Sequence, residues 1–353
     1  MRKEINNFNV AIVGATGLVG QEFIKILEQR QFPVASIRLL ASERSSGTNL
    51  FFKHRQIAVE EATPELFRHI DIALFSAGAD TSKRLSPLAA ENGAVVIDNS
   101  SAFRMEPAVP LVVPEVNPED IANHKGIIAN PNCSTIQMVV ALYPLHKVNP
   151  IKRIIVSTYQ AVSGSGSAAL KELTSEVKLV MEGRRICPHV YPHQIAFNVL
   201  PEIDVFLDNG YTREEQKMAN ETRKIMHAPE ILVSATCARV PVYFGHSEAV
   251  NVEFASPITP EEARDILSKA PGIKVLDDPS VSLYPQPWAT AGSDHVYVGR
   301  IREDASSSNG LAMWIVADNL RKGAALNAIQ IAEKGIYLGY LKPRENRQVH
   351  DYE

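Results

Sequence analysis

Cys133 lies in a sequence context that favours a reactive thiolate. The segment GIIANPNCSTIQMVVAL runs from an apolar strand pattern through Pro131 into a helical pattern, whose apolar positions include Ile136, Val139 and Val140. The helix is therefore predicted to begin beside Cys133. Free backbone N–H groups and the dipole at a helix N-terminus stabilise a thiolate, which is the nucleophilic form of cysteine. We predict that Cys133 is a nucleophile, and the alternative is a buried packing cysteine.

The other two cysteines are better suited to structural roles. Cys237 lies within a strand pattern and Cys187 in a turn next to proline. The three cysteines are far apart in the sequence, which gives neither a disulfide framework nor a metal-binding pair of the CxxC kind. No metal site is predicted.

A glycine-rich turn near the N-terminus is the candidate cofactor site. The segment VAIVGATGLVGQEF places Gly14, Gly17 and Gly20 between a predicted strand and a predicted helix. Bare backbone and a helix N-terminus at such a turn favour a bound pyrophosphate. The spacing is G-x-x-G-x-x-G rather than the commoner G-x-G-x-x-G, and the alternative is a tight turn without a ligand.

The end of the second predicted strand bears on which dinucleotide binds. There LLASERSSG offers hydroxyls and a guanidinium at Ser42, Arg44 and Ser45, which suit the 2′-phosphate of NADP. Glu43 would instead suit the ribose hydroxyls of NAD. We predict NADP, with Glu43 turned to solvent, and the alternative is a polar loop without a ligand.

Length and composition describe a globular enzyme of two domains. The chain has 353 residues, of which 45% are hydrophobic and 22% charged, and it is too long for one typical core. Its net charge of -4 offers no broad basic surface, so nucleic acid is not expected as a partner. No stretch approaches the roughly 18 apolar residues of a membrane span. We therefore expect a cytoplasmic protein without a membrane partner.

Two patterns of secondary structure divide the sequence. Short apolar runs alternate with amphipathic stretches at 9–13, 37–41, 70–76, 94–98 and 126–129, which predicts a doubly wound parallel sheet of the α/β class. After residue 150, longer alternating segments at 152–159, 231–242 and 249–255 surround helical patterns at 168–181 and 212–226. They predict an α+β domain with an open, largely antiparallel sheet. A last helix is predicted at 322–340, with an apolar face that could pack on the first domain.

Eight ordered motifs over nearly the whole chain resemble those of the bacterial aspartate-β-semialdehyde dehydrogenase family. They are GATGLVG, LFSAG, SSAFR, NPNCST, STYQAVSGSG, ETRK, ARVPV and GHSE. NPNCST and YQAVSGSG are the most specific of the eight, whereas GATG occurs in many folds.

The resemblance implies a fold, a reaction and an assembly. It implies an NADP-binding Rossmann domain at 1–134, completed by the C-terminal helix at 320–353, and a catalytic and dimerisation domain at 135–319. The implied reaction converts aspartyl phosphate and NADPH reversibly into aspartate semialdehyde, NADP and phosphate. This step leads toward lysine (through diaminopimelate), threonine and methionine. The implied assembly is a homodimer.

Three residues match the family's catalytic positions. The resemblance implies that Cys133 is the nucleophile, that Gln160 positions the acyl group and that His246 is the acid/base. This set is chemically coherent, because a thiolate can form a thioester that accepts hydride before the thiohemiacetal collapses with a proton from the histidine. The alternative for His246 is a structural histidine, since it shares a strand face with Val250 and Val252.

Five further residues match substrate-binding positions. Arg239 matches the group that binds the α-carboxylate, which a planar guanidinium can do with two hydrogen bonds. Glu221 matches the group that binds the amino end, and the remaining matches are the phosphate ligands Lys224 and Arg104 and, beside the nucleophile, Asn132. The alternative for Glu221 and Lys224 is a surface ion pair, because they are three residues apart on a helix opened by a Thr212–Glu215 capping box.

The remaining matches are positions that line the cofactor in the family. They are Gly14, Thr16, Gly17, Leu18, Val19, Ser42, Arg44, Ser45, Ser76, Ala77, Gly78, Asn99, Ser163, Gly164 and Asn319. One departure from the family pattern is EGRRICPHVYPHQIAFN, with His193 and Gln194 inside the motif, and it leaves the conformation of the 182–198 loop open.

Three other functions remain as alternatives. N-acetyl-γ-glutamyl-phosphate reductase uses the same cysteine chemistry, but ETRK and ARVPV favour a free amino acid as substrate. A short-chain dehydrogenase needs Tyr-x-x-x-Lys on one helix, which occurs as Tyr143 and Lys147, but Pro144 would cost that helix a hydrogen bond or end it. A dinucleotide-sensing module would bind NADPH without a thiol essential to turnover.

The choice of cofactor can be tested at Arg44. The change Arg44→Ala should raise the KM for NADP and leave the KM for NAD nearly unchanged, because only NADP carries the 2′-phosphate that the guanidinium would neutralise. Steady-state kinetics with both cofactors measure this difference. An equal rise in the KM for NADP and the KM for NAD would contradict the prediction.

Overall fold

The computed structural model describes residues 7–344, which divide into two compact units. The first unit consists of residues 7–114, 118–130 and 328–344, and the second of Glu115–Asn117 and Pro131–Asn327. The predicted Rossmann domain includes residues 1–6 and 345–353, which lie outside the described residues. The functions assigned to the two predicted domains remain predictions.

The first unit is built on a seven-stranded sheet. Its order is β3-β4-β2-β1-β5-β6-β7, and all neighbours are parallel except the antiparallel hairpin of β3 and β4. The strands are β1 (Phe8–Val13), β2 (Val34–Ala41), β3 (Asn49–Phe52), β4 (Arg55–Glu61), β5 (Ile72–Phe75), β6 (Val95–Asp98) and β7 (Ile127–Ala129). The predicted α/β fold class is confirmed. The β3–β4 hairpin was not predicted.

Two helices of this unit follow strands directly. Helix α1 (Leu18–Gln29) buries Phe23, Ile26 and Leu27 on one face, as expected of an amphipathic helix beside a sheet. Helix α2 (Ala79–Glu91) contributes Leu85 and Ala89 to a core that also contains residues of β1, β5 and β6. The strands of this core are almost continuously apolar, which is typical of a parallel sheet covered on both faces.

The second unit is built on a six-stranded mixed sheet. Its order is β11-β12-β13-β10-β8-β9, in which β8–β9 and β11–β12 are parallel and the other three pairings are antiparallel. The strands are β8 (Ile151–Gln160), β9 (Leu232–Arg239), β10 (His246–Phe254), β11 (Ile273–Val275), β12 (Val296–Glu303) and β13 (Gly310–Ala317). The helices are α3 (Cys133–Val148), α4 (Ser167–Met181), α5 (Arg213–Ile225), α6 (Pro260–Ser268) and α7 (Pro287–Thr290).

Alternation along these strands determines which side chains are buried. In β10 every second residue from His246 to Phe254 is buried, so His246, Glu248, Val250 and Val252 face the same side of the sheet. In β9 the corresponding buried residues are Ala235, Cys237 and Arg239. Polar and charged side chains therefore lie at the ends of two strands that are otherwise apolar on this face.

The C-terminal helix begins after an unusual turn. Residues Arg321–Ala325 form a π-helical turn, and α8 (Leu326–Leu338) continues from it. Within the first unit, Glu333 of α8 accepts two hydrogen bonds of 2.8 and 2.7 Å from the guanidinium of Arg30, which caps α1. The predicted helix at 322–340 is represented by this turn and α8, and its residues from 328 onward belong to the first unit. None of the helices within residues 7–344 is long and apolar enough to cross a membrane.

Candidate active site

The glycine-rich turn of the first unit packs closely against a neighbouring strand end. Helix α1 begins at Leu18 with Gly17 as its N-cap, so the predicted turn residues Gly14, Thr16, Gly17, Leu18 and Val19 lie between β1 and α1. Gly14 has a φ of +87°, and a Cβ on it would lie 2.7 Å from the carbonyl oxygen of Ser76 after β5. Only glycine allows this approach. The order β2-β1-β5 makes this edge the switch point at which doubly wound sheets bind dinucleotides.

The predicted 2′-phosphate residues lie beside the same turn. They follow β2 in a single 3-10 turn, Glu43–Ser45, and the hydroxyl of Ser45 is 3.4 Å from that of Thr16. Ser42, Glu43 and Arg44 are exposed. Hydroxyls and a solvent-accessible guanidinium thus stand next to bare backbone, an arrangement that fits the phosphates of NADP.

The other predicted residues of the first unit follow strands β5 and β6 at this edge. Ser76, Ala77 and Gly78 come directly after β5, and the Ser76 N–H donates to Val13 (2.8 Å). Asn99 comes directly after β6, where its side-chain oxygen accepts a 2.6 Å hydrogen bond from Asn130. Arg104 is buried and donates to the carbonyls of Asn130 (2.9 Å) and Asn99 (3.0 Å). The structure therefore brings Arg104 and Asn99 together.

In the second unit, strand register places three predicted residues at one end of the sheet. Strand β8 lies between β9 and β10 and pairs Gln160 with Arg239 in the parallel direction and Tyr159 with Ser247 in the antiparallel direction. His246, the residue before Ser247, is therefore adjacent to the end of β8. Strand β13 pairs Ala317 with His246 on the other side. This end of the sheet is the candidate catalytic site.

The backbone of one residue after β8 joins two of these side chains. The N–H of Ala161 donates to Nδ1 of His246 (3.0 Å), and its carbonyl accepts from Nη1 of Arg239 (2.8 Å). A Cβ on Gly164 would lie 2.9 Å from the same Nη1 and 3.4 Å from Cε1 of His246. Gly164 therefore lies against His246 and Arg239.

His246 is neutral and holds its proton on a defined nitrogen. It is fully buried, and burial together with the positive charge of Arg239 holds the pKa of His246 well below its ordinary value. Because Nδ1 accepts a hydrogen bond, the proton of the neutral ring lies on Nε2. Nε2 has no partner among residues 7–344. It is therefore a buried donor available to a ligand, which favours the catalytic prediction over a structural histidine.

Arg239 is a buried cation without a counter-ion in the described chain. Its side chain is 5% exposed, Nε has no hydrogen-bond partner, and no carboxylate of residues 7–344 pairs with its guanidinium. A buried charge is costly unless it is paired. The arrangement therefore suits an anionic ligand such as a carboxylate, and the assignment of Arg239 to a substrate carboxylate stays a prediction.

Cys133 is the first residue of α3, as predicted. Asn132 is the N-cap, and its side-chain oxygen accepts from the N–H groups of Ser134 (3.0 Å) and Thr135 (3.1 Å). Cys133 is half-buried, Cys187 is exposed and Cys237 is buried, and burial strongly raises the pKa of the Cys237 thiol. Of the three, Cys133 alone combines partial access with a capped helix N-terminus.

Helix α5 contributes buried carboxylates to the site rather than a surface pair. Glu221 is 1% exposed and accepts a 2.7 Å hydrogen bond from the Asn132 N–H. Because Glu221 is buried, the surface location assumed in the alternative is wrong, and Lys224 is half-buried. The capping box between Thr212 and Glu215 is present as predicted.

Glu214 is a site residue that the sequence did not reveal. Its Oε1 accepts hydrogen bonds from the side-chain amides of Asn132 (2.7 Å) and Gln160 (3.2 Å). Acidic residues are common in the first turn of a helix, because they interact favourably with the helix dipole. The residue type and position of Glu214 therefore did not indicate a role in the site. Only the folded structure brings these amides to it.

Ser163 and Asn319, predicted to line the cofactor, lie in the second unit and are bonded to each other. Their side chains contact at 2.9 Å, and the Asn319 oxygen accepts a 2.9 Å hydrogen bond from the Gly245 N–H. Asn319 thus connects the segment after β8 to the residue that precedes His246.

The 182–198 loop is held by two carboxylates of α4. Glu172 accepts from the N–H groups of His189, Val190 and Tyr191 at 2.7 to 3.2 Å. Glu176, which is buried, accepts from those of Ile195 and Ala196 at 2.8 and 2.9 Å. These bonds define the loop conformation that the sequence left open.

Both halves of the chain match family models. The model described as semialdehyde dehydrogenase, NAD binding domain, matches residues 9–124, and that described as semialdehyde dehydrogenase, dimerisation domain, matches residues 142–322. An aspartate-semialdehyde dehydrogenase of Aquifex aeolicus is 58% identical over 330 residues, which cover 92% of this chain and 97% of the relative. The chain belongs to the aspartate-semialdehyde dehydrogenase family.

Solved structures of the aspartate-semialdehyde dehydrogenase family share this fold. One is aspartate semialdehyde dehydrogenase II complexed with ASA from Vibrio cholerae, with a TM-score of 0.91 and 49% identity, covering 94% of this chain and 99% of that one. Another is aspartate semialdehyde dehydrogenase with NADP from Candida albicans, with a TM-score of 0.75 and 30% identity. It covers 94% of this chain and 99% of that one. The resemblance stated from the eight motifs is confirmed.

The alternative functions are not favoured. Helix α3 runs through Pro144 to Val148, so the possibility that the proline ends this helix is wrong. Membership of the aspartate-semialdehyde dehydrogenase family, rather than the proline, disfavours a short-chain dehydrogenase. No three His, Cys, Asp or Glu side chains within residues 7–344 are grouped as metal ligands.

The role of Arg239 can be tested by a substitution that keeps its charge. The change Arg239→Lys removes the planar fork, so kcat/KM should fall by roughly 10²-fold or more if two hydrogen bonds hold the carboxylate. Circular dichroism should show an intact fold. A lysine variant with wild-type kcat/KM would contradict the prediction.

Proposed function

We propose that the chain catalyses the reversible, NADPH-dependent reductive dephosphorylation of L-4-aspartyl phosphate to L-aspartate 4-semialdehyde. The observation that carries the proposal is the sheet end in the second unit, where the buried cation Arg239 and the neutral donor His246 share the backbone of Ala161. The acyl-accepting Cys133 lies in the same unit at a capped helix N-terminus. A nucleophile, an anion-binding cation and a proton-bearing ring are the groups that this chemistry needs.

Substrate binding is assigned to side chains of opposite charge. Arg239 binds the α-carboxylate, because it is a buried cation that no carboxylate of residues 7–344 pairs with. Glu221 binds the amino end, and Lys224 and Arg104 bind the phosphate. Gln160 orients the acyl group toward Cys133.

The reaction proceeds through a thioester on Cys133. The thiolate attacks the acyl carbon, the C–S bond forms, and the C–O bond to phosphate breaks so that phosphate leaves with its electron pair. NADPH, when bound, supplies the hydride that reduces the thioester carbonyl. The oxygen that gains negative charge is stabilised by the Nε2–H of His246, and the thiohemiacetal collapses to aldehyde and thiolate.

NADP binding is assigned to the strand edge of the first unit. Gly14 lets the turn approach Ser76 without a side chain, and the hydroxyls of Thr16 and Ser45 stand beside it. The exposed guanidinium of Arg44 would neutralise the 2′-phosphate. The relative from Candida albicans that was solved with NADP supports this choice of cofactor.

We also propose that the protein is a homodimer. It forms through the face of the second unit's sheet that lies opposite the face carrying His246. The family model that matches residues 142–322 is described as a dimerisation domain. This face has a groove of about 540 Å³ whose lining includes Tyr284, Pro287 and Trp314, and the rings of Trp314 and Tyr159 contact each other on it. Apolar and aromatic surface of this kind is typical of protein interfaces.

Light scattering tests the dimer and its location. The protein should have twice the chain mass of 38.8 kDa, and Trp314→Glu should lower the measured mass toward that of the monomer, because a charge would be buried at the interface. Ser308→Glu, at an exposed loop, is the control. A wild-type monomer would contradict the dimer, and a Trp314→Glu dimer would contradict this face.

The thioester can be tested by removing the sulfur. Cys133→Ala should reduce turnover by about 10⁴-fold or more, because the covalent intermediate cannot form. NADP binding, followed by protein fluorescence, should be unchanged. The assay follows absorbance at 340 nm with aspartate semialdehyde, phosphate and NADP.

Cys187→Ala is the matched control for that experiment. Cys187 is exposed and outside the site, so its variant should keep wild-type activity. Near-wild-type turnover by Cys133→Ala would make Cys133 a packing residue and refute the mechanism.

A further inference from the structure

One carboxylate oxygen links the two sides of the catalytic site. Oε1 of Glu214 accepts the side-chain amide of Asn132, at 2.7 Å, and that of Gln160, at 3.2 Å. Asn132 caps the helix that begins with Cys133, and Gln160 ends strand β8. Glu214 is 5% exposed, so water does not compete strongly for these hydrogen bonds.

Both amides are oriented by this contact. With its NH₂ group on Glu214, Asn132 directs its oxygen to the N–H groups of Ser134 and Thr135, which is the orientation that caps α3. Gln160 likewise directs its NH₂ to Glu214, and its oxygen accepts a 3.1 Å hydrogen bond from the Thr158 hydroxyl. A flip of either amide would break its contact with Glu214.

The charge on Glu214 is maintained from its other side. Lys217 donates to Oε2 of Glu214 (3.2 Å) and to Asp204 (2.7 Å). Burial works to raise the pKa of Glu214, but the charge of Lys217 and the hydrogen bonds from Asn132, Gln160 and Lys217 outweigh it and hold the pKa below its usual value. The two amide contacts are therefore charge-assisted hydrogen bonds, which are stronger than neutral ones.

We propose that Glu214 is a positioning residue of the reaction, which holds Asn132 beside the nucleophile and Gln160 beside the acyl group through one shared oxygen. The inference rests on the proposed function. Glu221 also holds Asn132, through its backbone N–H, but Glu214 is the carboxylate that reaches both side chains. Small displacements of such groups slow chemistry more than they weaken substrate binding.

Glu214→Gln is the principal test. Its new NH₂ group would face the Lys217 ammonium, so the side chain must turn, and Asn132 and Gln160 then lose the oxygen that they share. We expect kcat to fall about 10- to 100-fold, with a change of less than about threefold in the KM for the substrate. A kcat within about twofold of wild type would overturn the proposal.

Glu215→Gln is the matched control. Glu215 is the next residue of α5 and is also buried, but it accepts from the N–H groups of Cys237 (2.9 Å) and Thr212 (2.7 Å), away from Asn132 and Gln160. The Glu215→Gln change should lower Tm and leave kcat within about twofold of wild type. If the two variants lose kcat equally, the role of Glu214 is structural and the proposal fails.

A second variant separates position from charge. Glu214→Asp keeps the carboxylate but is shorter by one methylene, so it cannot reach both amides, and its kcat should fall as in Glu214→Gln. Wild-type kcat in Glu214→Asp would overturn the positioning role.

A double-mutant cycle tests whether Glu214 acts through Gln160. In a Gln160→Ala background, Glu214→Gln should cost less in kcat than it does alone, since one of its two partners is gone. Full additivity would contradict action through Gln160. An inactive wild-type enzyme would instead refute the proposed function, so the two failures are distinguishable.

Discussion

The pairing of strand β8 with β9 on one side and β10 on the other is the constraint on which the site depends. The parallel register with β9 sets Gln160 beside Arg239, and the antiparallel register with β10 brings His246 to the same end. Side chains alternate between faces along a strand, so a slip of one residue in either pairing would turn these groups to the other side of the sheet. The apolar alternation of β10 from Val250 to Phe254 prevents that slip, because it would expose the core. Core packing and catalytic geometry are thus specified by the same register.

At this end of the sheet, burial and neighbouring groups determine the charge state of each polar side chain. The neutral ring of His246 follows from its burial beside Arg239 and from the Ala161 N–H on Nδ1. The charge of Glu214 follows from Lys217 and two amides, despite burial. The charge of Arg239 is uncompensated because, among residues 7–344, its guanidinium donates a hydrogen bond to the Ala161 carbonyl and pairs with no carboxylate. Groups fixed in this way need little reorganisation when charge develops in a reaction.

The sequence predicted what local pattern determines. Continuous apolar runs identified five of the parallel strands of the first unit, and the NPNCST motif located the start of α3 at Cys133. The β3–β4 hairpin was missed because its apolar runs, 50–52 and 57–59, are short and polar or charged residues flank them. Glu214 was missed because its partners Gln160 and Asn132 are 54 and 82 residues away, so their approach is a property of the fold alone. The surface location of Glu221 in the alternative pairing with Lys224 was wrong, because helical spacing does not show which face of α5 is buried.

The central claim is that the reaction passes through a thioester on Cys133, and the most direct test is to trap that species. Protein mixed with aspartate semialdehyde and NADP in the absence of phosphate, then quenched in acid, should carry an acyl adduct that peptide mass spectrometry locates on Cys133. Addition of phosphate before the quench should discharge it, because phosphate is the group that attacks the thioester in this direction. An adduct on Cys187, on Cys237 or on a residue other than cysteine, or turnover with no adduct on any residue, would contradict the account.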